Sequence, residues 1–365
     1  MKPISGAVFV CEVLISALAW GTGYDLAFAA AGKPATPTSY TLTAINAEMW
    51  GPLDINDKGV VLIERQLVEF ASPAPLIVNR KGKESQPFEC PGTSNDTDGE
   101  GLNNLGEIVG HCGHQPGFTV VSFVANPRSG SVNLFAYPGA QSTWGFGIND
   151  FGQVVGFYQN QPPADCCFLH DTWSHGFLWD KNSGEYKTID NPLADTQSGG
   201  PTWLTGINNK GQIVGFYFGE NRTFSSVYSF IYDHGTFTPI RHPKAWGEDN
   251  TYIYGFNNKG HIFGAYSGPG CGRCLFLYDG IEYAEISLLL PDNAPYPNGM
   301  IISPASAFNF AGLNDRGQFV GTYQRVLEWG PDPFHPGEFA PTKTELVNFI
   351  ATPTKPGKNK REIVN

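Results

Sequence analysis

Apolar residues along this chain come in short strand-length runs, each introduced by the same polar turn. Six copies read INDKGVVLI from Ile55, LNNLGEIVGHC from Leu102, INDFGQVVGFY from Ile148, INNKGQIVGFYF from Ile207, FNNKGHIFGAY from Phe256 and LNDRGQFVGTY from Leu313. Their glycines are spaced by 47, 46, 59, 49 and 57 residues, and a period of about 40–50 residues made of short strands marks radial or stacked β-repeats. The unit from Trp203 to Pro243 spells four strands. A segment from Leu204 to Ile207 enters the turn, and Ile213 to Tyr217 follows it. Tyr228 to Tyr232 and Thr236 to Ile240 are joined by the turn Asp233-His234-Gly235. Six such meanders predict an all-β chain, a β-propeller of four-stranded blades with six blades, in which no blade stands alone. A β-solenoid is the alternative, although its turns are shorter than this period.

The signature has a geometric reading. Asn at the start of the turn bonds the backbone two residues on, and Gly supplies positive φ. The turn residues are Asn56 and Gly59, Asn103 and Gly106, Asn149 and Gly152, Asn208 and Gly211, Asn257 and Gly260, and Asn314 and Gly317. The rival reading, an ion-binding ring, is less favoured because Asp57, Asn104, Asp150, Asn209, Asn258 and Asp315 mix acid and amide without pattern. The second glycine (Gly110, Gly156, Gly215, Gly264, Gly321) sits mid-strand, where it implies close backbone approach, as where innermost strands crowd an axis. Tyr40 to Ile45 has the character of a fourth strand and is expected to join the last blade and fasten the circle, with Glu345 to Phe349 competing for that place.

Composition agrees with this reading. Gly and Pro total 72 of 365 residues while charged residues are only 16%, a balance poor in helix formers and rich in turn formers. The net charge of −11 and the lack of a basic stripe argue against nucleic acid as a partner. Lys2, the apolar stretch Gly6 to Trp20 and Ala27-Phe28-Ala29 read as an export signal, with Glu12 a blemish. The expected organisation is a signal peptide at 1–29, a linker at 30–39, the propeller at 40–350 and a flexible tail at 351–365. The product is secreted or periplasmic with no membrane span in the mature chain. Without Cys11, six cysteines remain, an even number that favours disulfides. Cys90 with Cys112 is the first expected pair. Cys166-Cys167 and Cys271-x-x-Cys274 are expected in the loop after the apolar run of their repeats. A redox role for CGRC lacks the βαβ context it needs, and a zinc site lacks further ligands at suitable spacing.

The paired signatures INDFGQVVG and HGFLWDKNSGEYKTID resemble the extracellular repeats of the HAF family, named for a His-Ala-Phe triplet before a strand. Here the triplet is His175-Gly176-Phe177, and it drifts to Tyr228-Ser229-Phe230 and Cys274-Leu275-Phe276. The resemblance covers about residues 40 to 350. It implies export from bacteria and a propeller-like fold, and it brings no agreed activity and no catalytic residues.

Three clusters could carry chemistry. His111 and His114 could share a metal with a third ligand from afar, against the reading of solvated loop histidines. His170 and Asp171, with His175 and Asp165 near, could orient a general base, but no G-x-S-x-G nucleophile elbow is present. Asp96 and Asp98 in NDTDGE suggest a calcium loop whose first and twelfth positions, Ser94 and Leu105, do not fit. Calcium is therefore possible and no other cofactor is expected. Asn95 and Asn221 head glycosylation sequons. Loops at Tyr158 to His175, Asp190 to Trp203 and Leu290 to Ala307 vary most and could shape a ligand face. The leading expectation is a noncatalytic scaffold that binds a glycan or protein ligand. The alternative is a secreted hydrolase or lyase with its site at the channel mouth. The two are separated by whether three or more carboxylates, His or Arg with perturbed pKa values gather on the axis.

Overall fold

The computed structural model describes residues 38–45, 51–66, 73–91, 97–113, 120–160, 174–194, 201–218, 227–288, 307–331 and 339–354. They form six blades around one axis, a six-bladed β-propeller, with the first strand of each meander innermost. The innermost strands are Gly51–Ile55, Thr97–Leu102, Ser142–Ile148, Thr202–Ile207, Thr251–Phe256 and Ala307–Ala311. Blades 2 to 5 are four-stranded antiparallel meanders. Blade 1 has three ladder strands, and residues 84–88 take the fourth place more loosely, through Ser85 N–H to Ile77 O and Phe88 N–H to Pro75 O. No helix among the described residues is long and apolar enough to cross a membrane.

The circle closes as expected. Strand Thr38–Ile45 is the outer strand of blade 6, antiparallel to Phe339–Pro353. Its other edge pairs in parallel with Tyr283–Leu288, the outer strand of blade 5. Phe339–Pro353 is thus the third strand of blade 6, and the competing segment Glu345 to Phe349 lies within it. The pairing Leu42↔Ala351, Thr41↔Thr352 and Tyr40↔Pro353 carries the blade three residues into the stretch expected as tail. At the other end it starts at Thr38, inside the expected linker.

There is no single core. Apolar clusters fill each gap between neighbouring blades, blades 1 and 2 sharing Leu62, Leu102, Ile108 and Phe123, and blades 6 and 1 closing the set with Ile55, Ile63, Leu76 and Val320. Burial between blades is the main stabilising term, so each blade depends on two neighbours. Cys90 and Cys112 are disulfide-bonded as expected, pinning the approach to blade 2. Cys271 and Cys274 lie on the strand Cys271–Tyr278 rather than in a loop, because the hairpin before them is tight, with Gly268 opposite Cys271. Cys274 is also disulfide-bonded.

The mid-strand glycines do mark a close backbone approach, as expected, but not one between innermost strands. They lie on the second strand, and the crowding comes from their own blade. In blades 2 to 5 a β-bulge in the innermost strand lies beside the glycine, where a carbonyl of that strand comes close. A Cβ would fall 1.8 Å from Trp144 O at Gly156, 2.0 Å from Asp98 O at Gly110 and 2.2 Å from Tyr252 O at Gly264. Each glycine is paired with a phenylalanine of the third strand, Phe123 with Gly110, Phe177 with Gly156, Phe230 with Gly215, Phe276 with Gly264 and Phe349 with Gly321, and the rings at Gly110, Gly215 and Gly264 lie 2.7–3.1 Å from where a Cβ would be. These are among the largest fully buried side chains. The Phe of the triplet therefore lies within the strand rather than before it, and its function is to pack. Blade 1 departs at both positions together, pairing Ile63 with Leu76.

Candidate ligand-binding site at the ring axis

The six turns meet at one mouth of the channel, and their hydrogen bonds explain the repeat. Each leading Asn uses both halves of its amide. Asn149 Oδ1 accepts from Phe151 N–H and Gln153 N–H, and its Nδ2 donates to Asn208 O in the next blade. The same link runs from Asn56 to Asn103, Asn103 to Asn149, Asn208 to Asn257, Asn257 to Asn314 and Asn314 back to Asn56, at 3.0–3.3 Å. The circuit is closed. An ionised Asp could accept but not donate here, and an amide with separate donor and acceptor atoms stands in all six copies. The turn glycines have φ between 68° and 88°, as expected.

The following residue accepts a backbone N–H from a neighbouring turn. Asn104 Oδ1 takes Asp57 N–H, Asp150 Oδ1 takes Asn104 N–H, Asn209 Oδ1 takes Asp150 N–H, and Asp57 Oδ1 takes Asp315 N–H. The amides also donate to the acids beside them, Asn104 Nδ2 to Asp57 Oδ2 and Asp150 Oδ2 and Asn209 Nδ2 to Asp150 Oδ2, so acid and amide complement one another around much of this ring. Asn258 Nδ2 reaches past Asp315 to Asp57 Oδ2 at 3.3 Å, which makes this second ring narrow.

Inside the rings lies a cavity of about 160 Å³ whose wall includes Asp54, Glu100, Phe146, Thr205 and Tyr254. It owes its shape to a column of glycines two residues before each Asn: Gly101, Gly147, Gly206, Gly255 and Gly312. On Gly147 a Cβ would fall 2.8 Å from Gly206 Cα, and on Gly255 2.4 Å from Gly312 C. Here innermost strands do crowd the axis. Blade 1 alone replaces the glycine, by Asp54. Its carboxylate accepts Ile55 N–H at 2.7 Å and Leu102 N–H at 2.8 Å, tying blade 1 to blade 2. Burial raises its pKa to about 6 in spite of those bonds.

Beyond the cavity, towards the opposite mouth, the wall divides in two. Blades 1 and 2 contribute Glu64, Asp98, Glu100 and His111. His111 Nε2 is 3.3 Å from Asp98 Oδ2, His111 Nδ1 is 3.6 Å from Glu100 Oε1, and Glu64 Oε1 accepts Gly99 N–H at 3.1 Å. Blades 3 to 5 place aromatic residues at matching register. Phe157 stacks between Trp144 and Trp203, with ring centroids 4.8 and 4.4 Å apart, and Tyr252 follows. Tyr254 takes hydrogen bonds from Arg273 Nε and Nη2 at 3.0 and 2.7 Å. The side chains of Asp98 and Glu100 are surrounded by protein yet remain 35% and 28% exposed, as expected of groups lining a recess. All connections between second and third strands, and between blades, leave from this face, because the Asn turns occupy the other one.

The electrostatics follow from crowding. Burial, then repulsion from Asp98 and Glu100, raises the Glu64 pKa to about 8. Burial raises Glu100 to about 7, with His111 opposing and Asp98 adding to the shift. Burial disfavours charging of His111, but its bond to Asp98 and the charges of Glu100 and Asp98 outweigh it and hold the imidazole pKa above its ordinary value. Native Glu64 and Glu100 retain protons that the unfolded chain has already lost, so stability falls as pH rises through their native values, and deprotonation of His111 acts in the same direction. The melting temperature should therefore decrease as pH rises from about 4.5 to about 8, and Glu64→Gln should flatten that slope. An unchanged slope in scanning calorimetry of the variant would show that Glu64 is not the source.

Of the residues proposed from sequence, His111 is 9% exposed on a strand, not a solvated loop histidine. Asp98 is also on a strand, 3.3 Å from His111. His175 Nδ1 meets Asp190 Oδ2 at 2.8 Å on the third strand of blade 3. His114, Asp96, His170 and Asp171 lie outside the described residues. Among the described residues no three His, Cys, Asp or Glu side chains are arranged to hold a metal. Glu64, Glu100 and the aromatic wall were missed from sequence. A signal was present in register: five residues before Asn the chain reads Asp98, Trp144, Trp203 and Tyr252 in four successive blades.

No protein-family model and no curated protein sequence matches the chain. Among solved structures it is similar to an oligogalacturonate lyase in complex with manganese, at TM-score 0.48 and 10% identity over 87% of this chain and 97% of that one. A gluconolactonase, XC5397 from Xanthomonas campestris, is similar at TM-score 0.44 and 11% identity, over 86% and 90%. A prolyl endopeptidase gives TM-score 0.47 and 9% identity over 79% of this chain and 40% of that one. The chain spans about 40–50% of the length of the peptidases and the TolB that it matches. At such identities the likeness is one of fold.

Proposed function

We propose that this chain is an exported HAF-type propeller that binds a glycan in the recess opposite the Asn turns. One observation carries the reading. Three buried polar atoms have no hydrogen-bond partner, His111 Nδ1, Trp203 Nε1 and Tyr252 OH, and their residues stand in matching register: Trp203 and Tyr252 are five residues before their turn Asn, and His111 pairs with Asp98 at that position of blade 2. A buried polar atom without a partner costs about 1–3 kcal/mol, and a ligand with several hydroxyls would satisfy such atoms while its sugar faces pack on aromatic rings. A thermal-shift screen against neutral, amino and acidic oligosaccharides tests it. Saturation at about 100-fold over Kd should raise the melting temperature by roughly 5 °C, and Trp203→Ala should remove the rise. No shift with any glycan would overturn the reading.

A second reading, a hydrolase or lyase at the same recess, is favoured by Glu100. Its pKa near neutrality beside His111 suits a group that gives or takes a proton. Glycan cleavage that disappears in Glu100→Gln while binding persists would establish it.

A further inference from the structure

Among the described residues no Lys or Arg makes an ion pair with Glu64, Asp98 or Glu100, and His111 is their sole cationic neighbour. Elsewhere in the molecule carboxylates of similar exposure are paired, Glu84 with Arg65 and Glu107 with Lys181. His111 is nine-tenths buried, and its unpartnered Nδ1 faces Glu100 at 3.6 Å. Across the axis the unpartnered atoms differ in kind. Trp203 Nε1 can only donate, so it requires an acceptor from the ligand. Tyr252 OH can do either.

Resting on the glycan reading above, we infer that the ligand is a basic glycan, an oligosaccharide with free amino groups whose ammonium sits among Glu64, Asp98 and Glu100 while its oxygens face Trp203 and Tyr252. Each simpler ligand leaves part of the wall unmet. A neutral sugar leaves Asp98 and Glu100 facing one imidazole. An acidic sugar adds like charge to them and to a chain of net charge −11. A plain polyamine matches the carboxylates but offers no acceptor to Trp203 and no ring face to its indole.

Titration calorimetry on the chain without its signal segment, near neutral pH, tests the inference with four probes: a fully deacetylated glucosamine tetramer, its N-acetylated counterpart, a cellulose tetramer and spermine. The deacetylated tetramer should bind about tenfold or more tighter than the N-acetylated one, the gain of one charge-assisted hydrogen bond, and high salt should shrink the difference. Asp98→Asn and Glu100→Gln should each narrow the preference while the circular dichroism spectrum stays that of the parent. Trp203→Ala should weaken the acetylated and deacetylated tetramers alike. If the acetylated or cellulose tetramer binds as well as the deacetylated one, the basic-glycan inference fails and the glycan reading stands. If spermine binds as tightly as the amino tetramer, charge alone is recognised and the inference fails. If no oligosaccharide binds, both fail.

Discussion

Gly156→Ala is expected to prevent the ring from assembling. The added Cβ would fall 1.8 Å from Trp144 O, and that oxygen belongs to a bulged strand at the centre of the molecule, with no flexible side chain to give way. The innermost strand would have to move off its neighbour, taking the stack of Trp144, Phe157 and Trp203 with it. The loss should exceed about 4 kcal/mol, beyond the range of an ordinary substitution. Gly272→Ala is the control: nothing lies within 4 Å of its added Cβ, and the change should stay within about 0.5 kcal/mol. Chemical denaturation of both variants decides it, and a Gly156→Ala protein of parental stability would show that the bulge carbonyl has room to move.

Two adjacent residues should respond in opposite ways to the same chemical exchange. Asn314 Nδ2 donates to Asn56 O and Gln318 Oε1, and its Oδ1 accepts from Arg316 N–H and Gln318 N–H. Asn314→Asp keeps the acceptor, loses the donor and sets a carboxylate against a carbonyl at a site 2% exposed. A buried charge without a partner costs about 3–5 kcal/mol. Asp315 serves as an acceptor for Lys259 N–H, which an amide oxygen does equally well. Asp315→Asn should be neutral within about 0.5 kcal/mol or slightly stabilising, since it relieves repulsion from Asp57. Equal losses in both variants would mean that the two rings are held by something other than donor and acceptor count.

The blade count, the strand order within a blade, the closing strand and the Cys90–Cys112 pair were legible in the sequence because each rests on local chemistry repeated in register. The inner-strand glycines were equally available as GLN, GIN, GIN, GFN and GLN, with Asp54 as the odd member, but their meaning required knowing which strand faces the axis. The site was legible only in fragments. His111 and Asp98 stood in separate candidates, a metal pair and a calcium loop, because nothing in the linear order says that strand pairing sets them side by side. Glu64 drew no attention at all, since its neighbours Asp98 and Glu100 belong to the next blade. What a ring brings together across blade boundaries is non-local, and one sequence does not display it.

The closing strand also imposes an order of events on biosynthesis. Thr38–Ile45 emerges from the ribosome ahead of every other strand, yet both edges of its final place are made by later chain, Tyr283–Leu288 and Phe339–Pro353. For the length of some three hundred residues it is a segment waiting for partners, and the growing blades show open edges of the kind that seed aggregation. The circle can be completed only when the whole chain is present. Truncation shortly before Phe339 should leave a product that never becomes protease-resistant.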